Sequence, residues 1–80
     1  MSTYTEADLP VVVHHGEMLT LKDGTTVRFD SNGEAKDVMI NDSFMPACTL
    51  FPGNEYLFQA GGGTYKATCT FEDNMRIEKV

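Results

Sequence analysis

Glycine and asparagine recur at short, regular intervals, and this punctuation constrains the fold more than any other feature of the chain. Asp23-Gly24, Ser31-Asn32-Gly33, Pro52-Gly53-Asn54, Gly61-Gly62-Gly63 and Asp73-Asn74 each separate short runs rich in Val, Ile, Phe, Tyr and Thr. Asn-Gly and Asp-Gly supply the positive φ angles of tight hairpin turns, and β-branched and aromatic residues suit a pleated surface. The pattern predicts an all-β, mainly antiparallel protein. Six to seven short strands are expected, as a small meander barrel or a two-layer sandwich.

Alternation within the runs refines this. Leu19 and Leu21 on one side of Asp23-Gly24, and Val27 and Phe29 on the other, fall on one face of a hairpin. Lys36 to Ile40 reads as a third strand with Val38 and Ile40 inward. Tyr56, Phe58 and Ala60 alternate, as do Tyr65, Ala67, Cys69 and Phe71, across a loop of three glycines. Met75 and Ile77 begin a last strand. The segment from Ala47 to Phe51 lies between Pro46 and Pro52, which restricts it to an edge strand or a loop. Residues 1–10 form a loose arm or a helix of one or two turns, since Thr3 to Glu6 has capping-box spacing and Pro10 stops the helix. Residues 11–80 make a single small β domain.

Eighty residues at 41% hydrophobic and 22% charged describe a folded chain with a modest core. Chains this short often add a disulfide, a metal or a partner subunit, so a homo-oligomer is one expectation. The net charge is −6, and the six cations (Lys22, Arg28, Lys36, Lys66, Arg76, Lys79) are scattered. A phosphate-binding surface needs clustered cations, so direct binding to nucleic acid or to an anionic membrane is disfavoured. No run approaches the ~18–20 apolar residues of a membrane span. The first residues lack the basic and apolar regions of a signal peptide, and the default expectation is a cytoplasmic location.

Chemistry-bearing residues are few. His14 and His15 are adjacent and point to opposite faces of a strand, so they do not converge on one metal without a bend at Gly16. Cys48 and Cys69 are the obvious further donors, but their separation matches no zinc motif, and two free thiols are expected. Asp30-Ser31-Asn32-Gly33-Glu34 has its glycine at the fourth position, where a calcium loop needs it at the sixth, and reads as a turn. Gly61-Gly62-Gly63 leads into a strand rather than a helix, unlike a phosphate loop. The Asp and Glu residues fall at turns or on outward strand positions and read as solvated. No catalytic residue, cofactor or metal is expected.

One stretch breaks the hairpin pattern. Phe44-Met45-Pro46-Ala47-Cys48-Thr49-Leu50-Phe51-Pro52 carries two phenylalanines and a methionine with little polar relief. It either completes the core or forms an exposed docking patch, because Met and aromatic residues are enriched at interface centres. The patch would comprise Phe44, Met45, Leu50 and Phe51, with Tyr56 in support. The expected function is that of a non-catalytic module that docks on another protein, as an inhibitor or small subunit. Its size and charge also suit a compact virus-encoded effector. The alternatives are an acidic charge mimic that occupies a nucleic-acid-binding surface, and a self-assembling structural subunit.

Overall fold

The computed structural model describes residues 3–80; Met1 and Ser2, part of the expected arm, lie outside the described residues. Nine strands are described: β1 (Thr3–Thr5), β2 (Val11–His14), β3 (Met18–Thr20), β4 (Thr26–Asn32), β5 (Ala35–Ile40), β6 (Cys48–Leu50), β7 (Glu55–Ala60), β8 (Gly63–Cys69) and β9 (Asn74–Lys79). They form two sheets, one of five strands in the order β1-β3-β4-β5-β6 and one of four in the order β2-β9-β8-β7. All pairings are antiparallel except β1 with β3. The architecture is therefore the two-layer alternative, with more strands than the pattern suggested.

The two extra strands are those with the weakest sequence signal. Residues 3–5 form β1 rather than a free arm or helix. Thr3, Tyr4 and Thr5 lie beside Met18, Leu19 and Thr20, and Tyr4 packs against the core. Among the described residues only Glu6–Asp8 is helical, a single 3-10 turn. Its cap is Thr5, whose backbone N–H donates to Asp8 at 2.8 Å. A three-residue strand cannot show a period, so its partner had to be found in space. β6 takes the edge-strand alternative left open between the two prolines, pairing Cys48 with Val38 and Leu50 with Lys36.

Period-two alternation fills the space between the sheets. Leu19, Leu21, Val27 and Phe29 come from the first hairpin, and Val38 and Leu50 from its neighbours; they meet Val13, Phe58, Tyr65, Ala67, Cys69, Met75 and Ile77 of the second sheet. Val13, Leu19, Val27, Val38, Ala67 and Ile77 are fully excluded from solvent. Ile40 packs at the margin of this cluster. Phe71 does not continue the alternation of β8. The strand ends at Cys69, where Thr70 turns the chain by donating its hydroxyl to the Asn74 carbonyl oxygen at 2.8 Å, and Phe71 is left 86% exposed.

Glu6 fastens the N-terminal turn to both layers. Its Oε1 accepts from the Tyr65 hydroxyl at 2.7 Å and from the Lys22 backbone N–H at 3.0 Å, while Oε2 lies 3.4 Å from Lys79 Nζ. The acids are therefore not all simple solvated charges. The Tyr65 hydrogen bond, followed by that from Lys22, holds the Glu6 carboxyl below its ordinary value. The same hydrogen bond, with burial second, pushes the Tyr65 hydroxyl up to about 12.

Two outcomes follow from this packing. Ile77→Ala is expected to lower the unfolding free energy by about 2–5 kcal/mol in urea titration, because the cavity lies where both sheets meet. Because the Glu6 carboxyl titrates lower in the folded chain, its stabilisation is complete above the ordinary value of 4.5. It is lost as pH falls through the depressed folded value. Glu6→Gln should therefore destabilise the protein at neutral pH, and the gap from wild type should narrow as unfolding is followed down to about pH 3.

Candidate functional site

The residues proposed from sequence as one docking patch are divided by the fold. β5 runs from Ala35 to Ile40 and β6 returns beside it, so the loop 41–47 lies at one end of the sandwich and Phe51 at the other. Phe44 is fully exposed and Met45 is 75% exposed on that loop, so neither completes the core. Leu50 is a correction: opposite Lys36 on the inner face it is 3% exposed and belongs to the core, where no partner reaches it. Tyr56 also points inward, half-buried, with its ring stacked 5.9 Å from that of Phe58. Phe51 alone of the set stands exposed at the second end.

That second end gathers three turns: Gly33-Glu34 between β4 and β5, residues 51–54 between β6 and β7, and residues 70–73 between β8 and β9. Asn32 faces Ala35 across the first, and the positive φ of Gly33 (+65°) permits so tight a reversal. Backbone bonds hold the other two together. The Gly53 N–H donates to the Cys69 carbonyl oxygen at 2.8 Å, and the Cys69 N–H donates to that of Asn54 at 3.0 Å. The Ser31 hydroxyl donates to Asp73 at 3.3 Å and ties the first turn to the third. A side chain added at Gly53 would meet the Phe71 ring at 3.9 Å, so Phe71 lies over the second turn. Between the turns is a cleft of ≈ 490 Å³ lined by Ser31, Glu34, Lys36, Pro52, Thr70, Phe71, Glu72 and Asp73 among others.

Lys36 forms the wall of this cleft and is the least expected residue in it. It is 5% exposed. Its Nζ donates to the Thr70 carbonyl oxygen at 3.0 Å and to Cys69 Sγ at 3.4 Å, and lies 5.9 Å from the centre of the Phe29 ring. Among the described residues it has no carboxylate partner within salt-bridge distance. The signal was present: Lys36 is two residues before Val38, so a strand that turns Val38 inward turns Lys36 inward too. Phe71 had a signal as well, in the run of turn-forming residues Glu72-Asp73-Asn74 directly after it.

The exposed charge around the cleft is one-sided, with Lys36 buried in its wall. Glu34, Glu72 and Asp73 are exposed and form no ion pair among the described residues. Four of the six cations are engaged elsewhere: Arg28 with Asp30 and Asp42, Lys66 with Glu55 and Glu78, Arg76 with Glu78, and Lys79 with Glu6. The outer face of the five-stranded sheet carries a second acidic group. Asp30 and Asp37 sit directly opposite each other. Arg28 Nη1 lies 2.8 Å from Asp30, and Asp37 accepts from the Thr49 hydroxyl at 2.7 Å.

The histidines and cysteines do not converge. His14 is exposed, with Nδ1 3.1 Å from Glu17, whose Oε1 also accepts from the Tyr4 hydroxyl at 2.9 Å. His15 packs near the Phe29 ring, with centroids 6.0 Å apart. Cys48 and Cys69 are free thiols. Among the described residues no group of three or more His, Cys, Asp or Glu side chains is placed to hold a metal ion, and no helix is long and apolar enough to cross a membrane. No family model, curated protein or solved structure matches the chain.

Burial of Lys36 predicts its reactivity. In limiting acetylation followed by mass spectrometry, Lys22 and Lys79 should modify first and Lys36 last. Equal labelling of Lys36 and Lys22 would mean that the cleft opens far enough to expose the ammonium.

Proposed function

We propose that this protein is a non-catalytic binding module that docks on a partner protein through the end of the sandwich formed by Phe51, Pro52 and Phe71. One observation carries the reading: Phe51 is 58% and Phe71 86% exposed at neighbouring turns while the core is complete without them. Leaving two phenylalanine rings in water forgoes about 1.5–3 kcal/mol for each side chain not buried. Aromatic side chains grouped on adjoining turns are typical anchors of interfaces. An inhibitor or a small subunit of an assembly would use such a surface. Phe44 and Met45, at the opposite end, are a separate exposed pair and not part of this surface.

A second reading is favoured by three exposed carboxylates around the same cleft that have no cation partner among the described residues. In it, Glu34, Glu72 and Asp73 occupy the basic surface of a nucleic-acid-binding partner, and the charge of −6 supplies the attraction. The two readings differ in salt dependence, because screening weakens exposed charge pairs and leaves apolar burial intact.

The test compares capture by wild type with capture by two double variants. Phe51→Ser with Phe71→Ser should leave the circular-dichroism spectrum unchanged and abolish retention of a partner that wild type pulls down. Phe44→Ser with Met45→Ser should retain it. Loss with the second pair and not the first would place docking at the other end and refute the proposal. For a captured partner, affinity that persists between low and high salt supports apolar docking, whereas a fall of more than about tenfold supports charge mimicry.

A further inference from the structure

β7 closes one side of the four-stranded sheet, and among the described residues its outer backbone edge has no partner strand. The phase of its hydrogen bonding follows from its two ends. Ala60 faces Gly63 across a two-residue turn in which Gly61 and Gly62 both have positive φ, +55° and +80°. That is the type I′ geometry, which closes on a hydrogen-bonded pair. At the far end, the Cys69 N–H donates to the Asn54 carbonyl oxygen. Bonded and non-bonded positions alternate along an antiparallel strand. Asn54, Tyr56, Phe58 and Ala60 therefore direct their backbone groups to β8, and Glu55, Leu57 and Gln59 direct theirs outward. Among the described residues no other backbone group bonds to those three.

The other sheet edges are short. β1 and β6 have three residues each and β2 has four, with Pro10 before β2 and Pro52 just after β6. Brevity and proline are common protections of an open edge. β7 has six residues, no proline and no cation.

We propose that β7 is an interface between two copies of this chain, paired antiparallel about Leu57. In this register Leu57 lies opposite its own counterpart, and Glu55 lies opposite the counterpart of Gln59. Each such pair exchanges both backbone bonds, so every outward N–H and C=O of β7 is used. Tyr56 then lies opposite the counterpart of Phe58 on the inner face, and the two half-sheets continue as one. The net charge of −6 opposes contact between copies in general. This edge is locally balanced, because Glu55 lies 3.3 Å from Lys66. No carboxylate faces another across the pairing. A slip of one residue would mismatch the bonding phase, and a slip of two would leave one bonded pair unmade.

The full chain should show concentration-dependent doubling of mass in sedimentation or light scattering. Leu57→Lys places two ammonium groups opposite each other on the two-fold axis and should weaken association by at least about tenfold. Leu57 is 60% exposed, so the monomer fold should be unaffected, with an unchanged circular-dichroism spectrum. In amide hydrogen exchange, Leu57 and Gln59 should be protected in the wild-type dimer and unprotected in the variant. A single-chain mass up to ~1 mM, weaker than any specific dimer of use, would overturn the proposal. So would a dimer that survives Leu57→Lys, or one in which those two amides exchange freely.

Discussion

Every inward side chain of this protein must share one thin space between two sheets. Stacked sheets lie about 10 Å apart, so the layer admits interdigitated side chains from both faces and little else. The short strands supply only a few inward positions each. Val13, Leu19, Val27, Val38, Ala67 and Ile77 fill the centre completely, and residues at the margins have to close the two ends. They do so with opposite charges. At one end Glu6 accepts from Tyr65 across the layers. At the other Lys36 extends its stem along the apolar interior and delivers its ammonium to the Thr70 carbonyl oxygen. In both places a long polar side chain ties the two layers together, Lys36 from a strand and Glu6 from the turn after β1.

The same constraint sorts the apolar residues into those the fold consumes and those it leaves over. Leu50 and Phe58 are taken into the interior because their strands fix which face they occupy. Phe44, Met45, Phe51 and Phe71 lie in turns, where no such register applies, and remain in solvent. Leu57 remains outside for a different reason, as the outward member of an edge strand. The large apolar side chains left exposed thus lie mainly at turn tips and on edge strands. These are separate features, and the docking and self-pairing proposals rest on different residues.

How far the chain was legible varied with the length of each pattern. The hairpin around Asp23-Gly24 was readable because two pairs of alternating apolar residues flank a turn dipeptide; all four side chains are buried together. The pairing of β7 with β8 was readable for the same reason. β1 and β6 were harder, since three residues cannot establish a period and each is a strand only because a neighbour pairs with it. Phe71 departs from its pattern: it extends the alternation of Ala67 and Cys69, but the strand stops two residues before it. Lys36 shares the parity of Val38, so its inward position follows from the strand pattern even though its charge gives no hint of burial.

Turn chemistry, strand alternation and net charge are local or additive properties, so the sequence by itself determined the all-β class, most strand positions and the acidic character. Which strands share a sheet, that residues 3–5 join one, and that Phe44 and Phe51 part to opposite ends were decided only by the tertiary structure. Pairing and layering depend on which faces meet in space. A linear pattern carries the parity of each strand but not the identity of its neighbour.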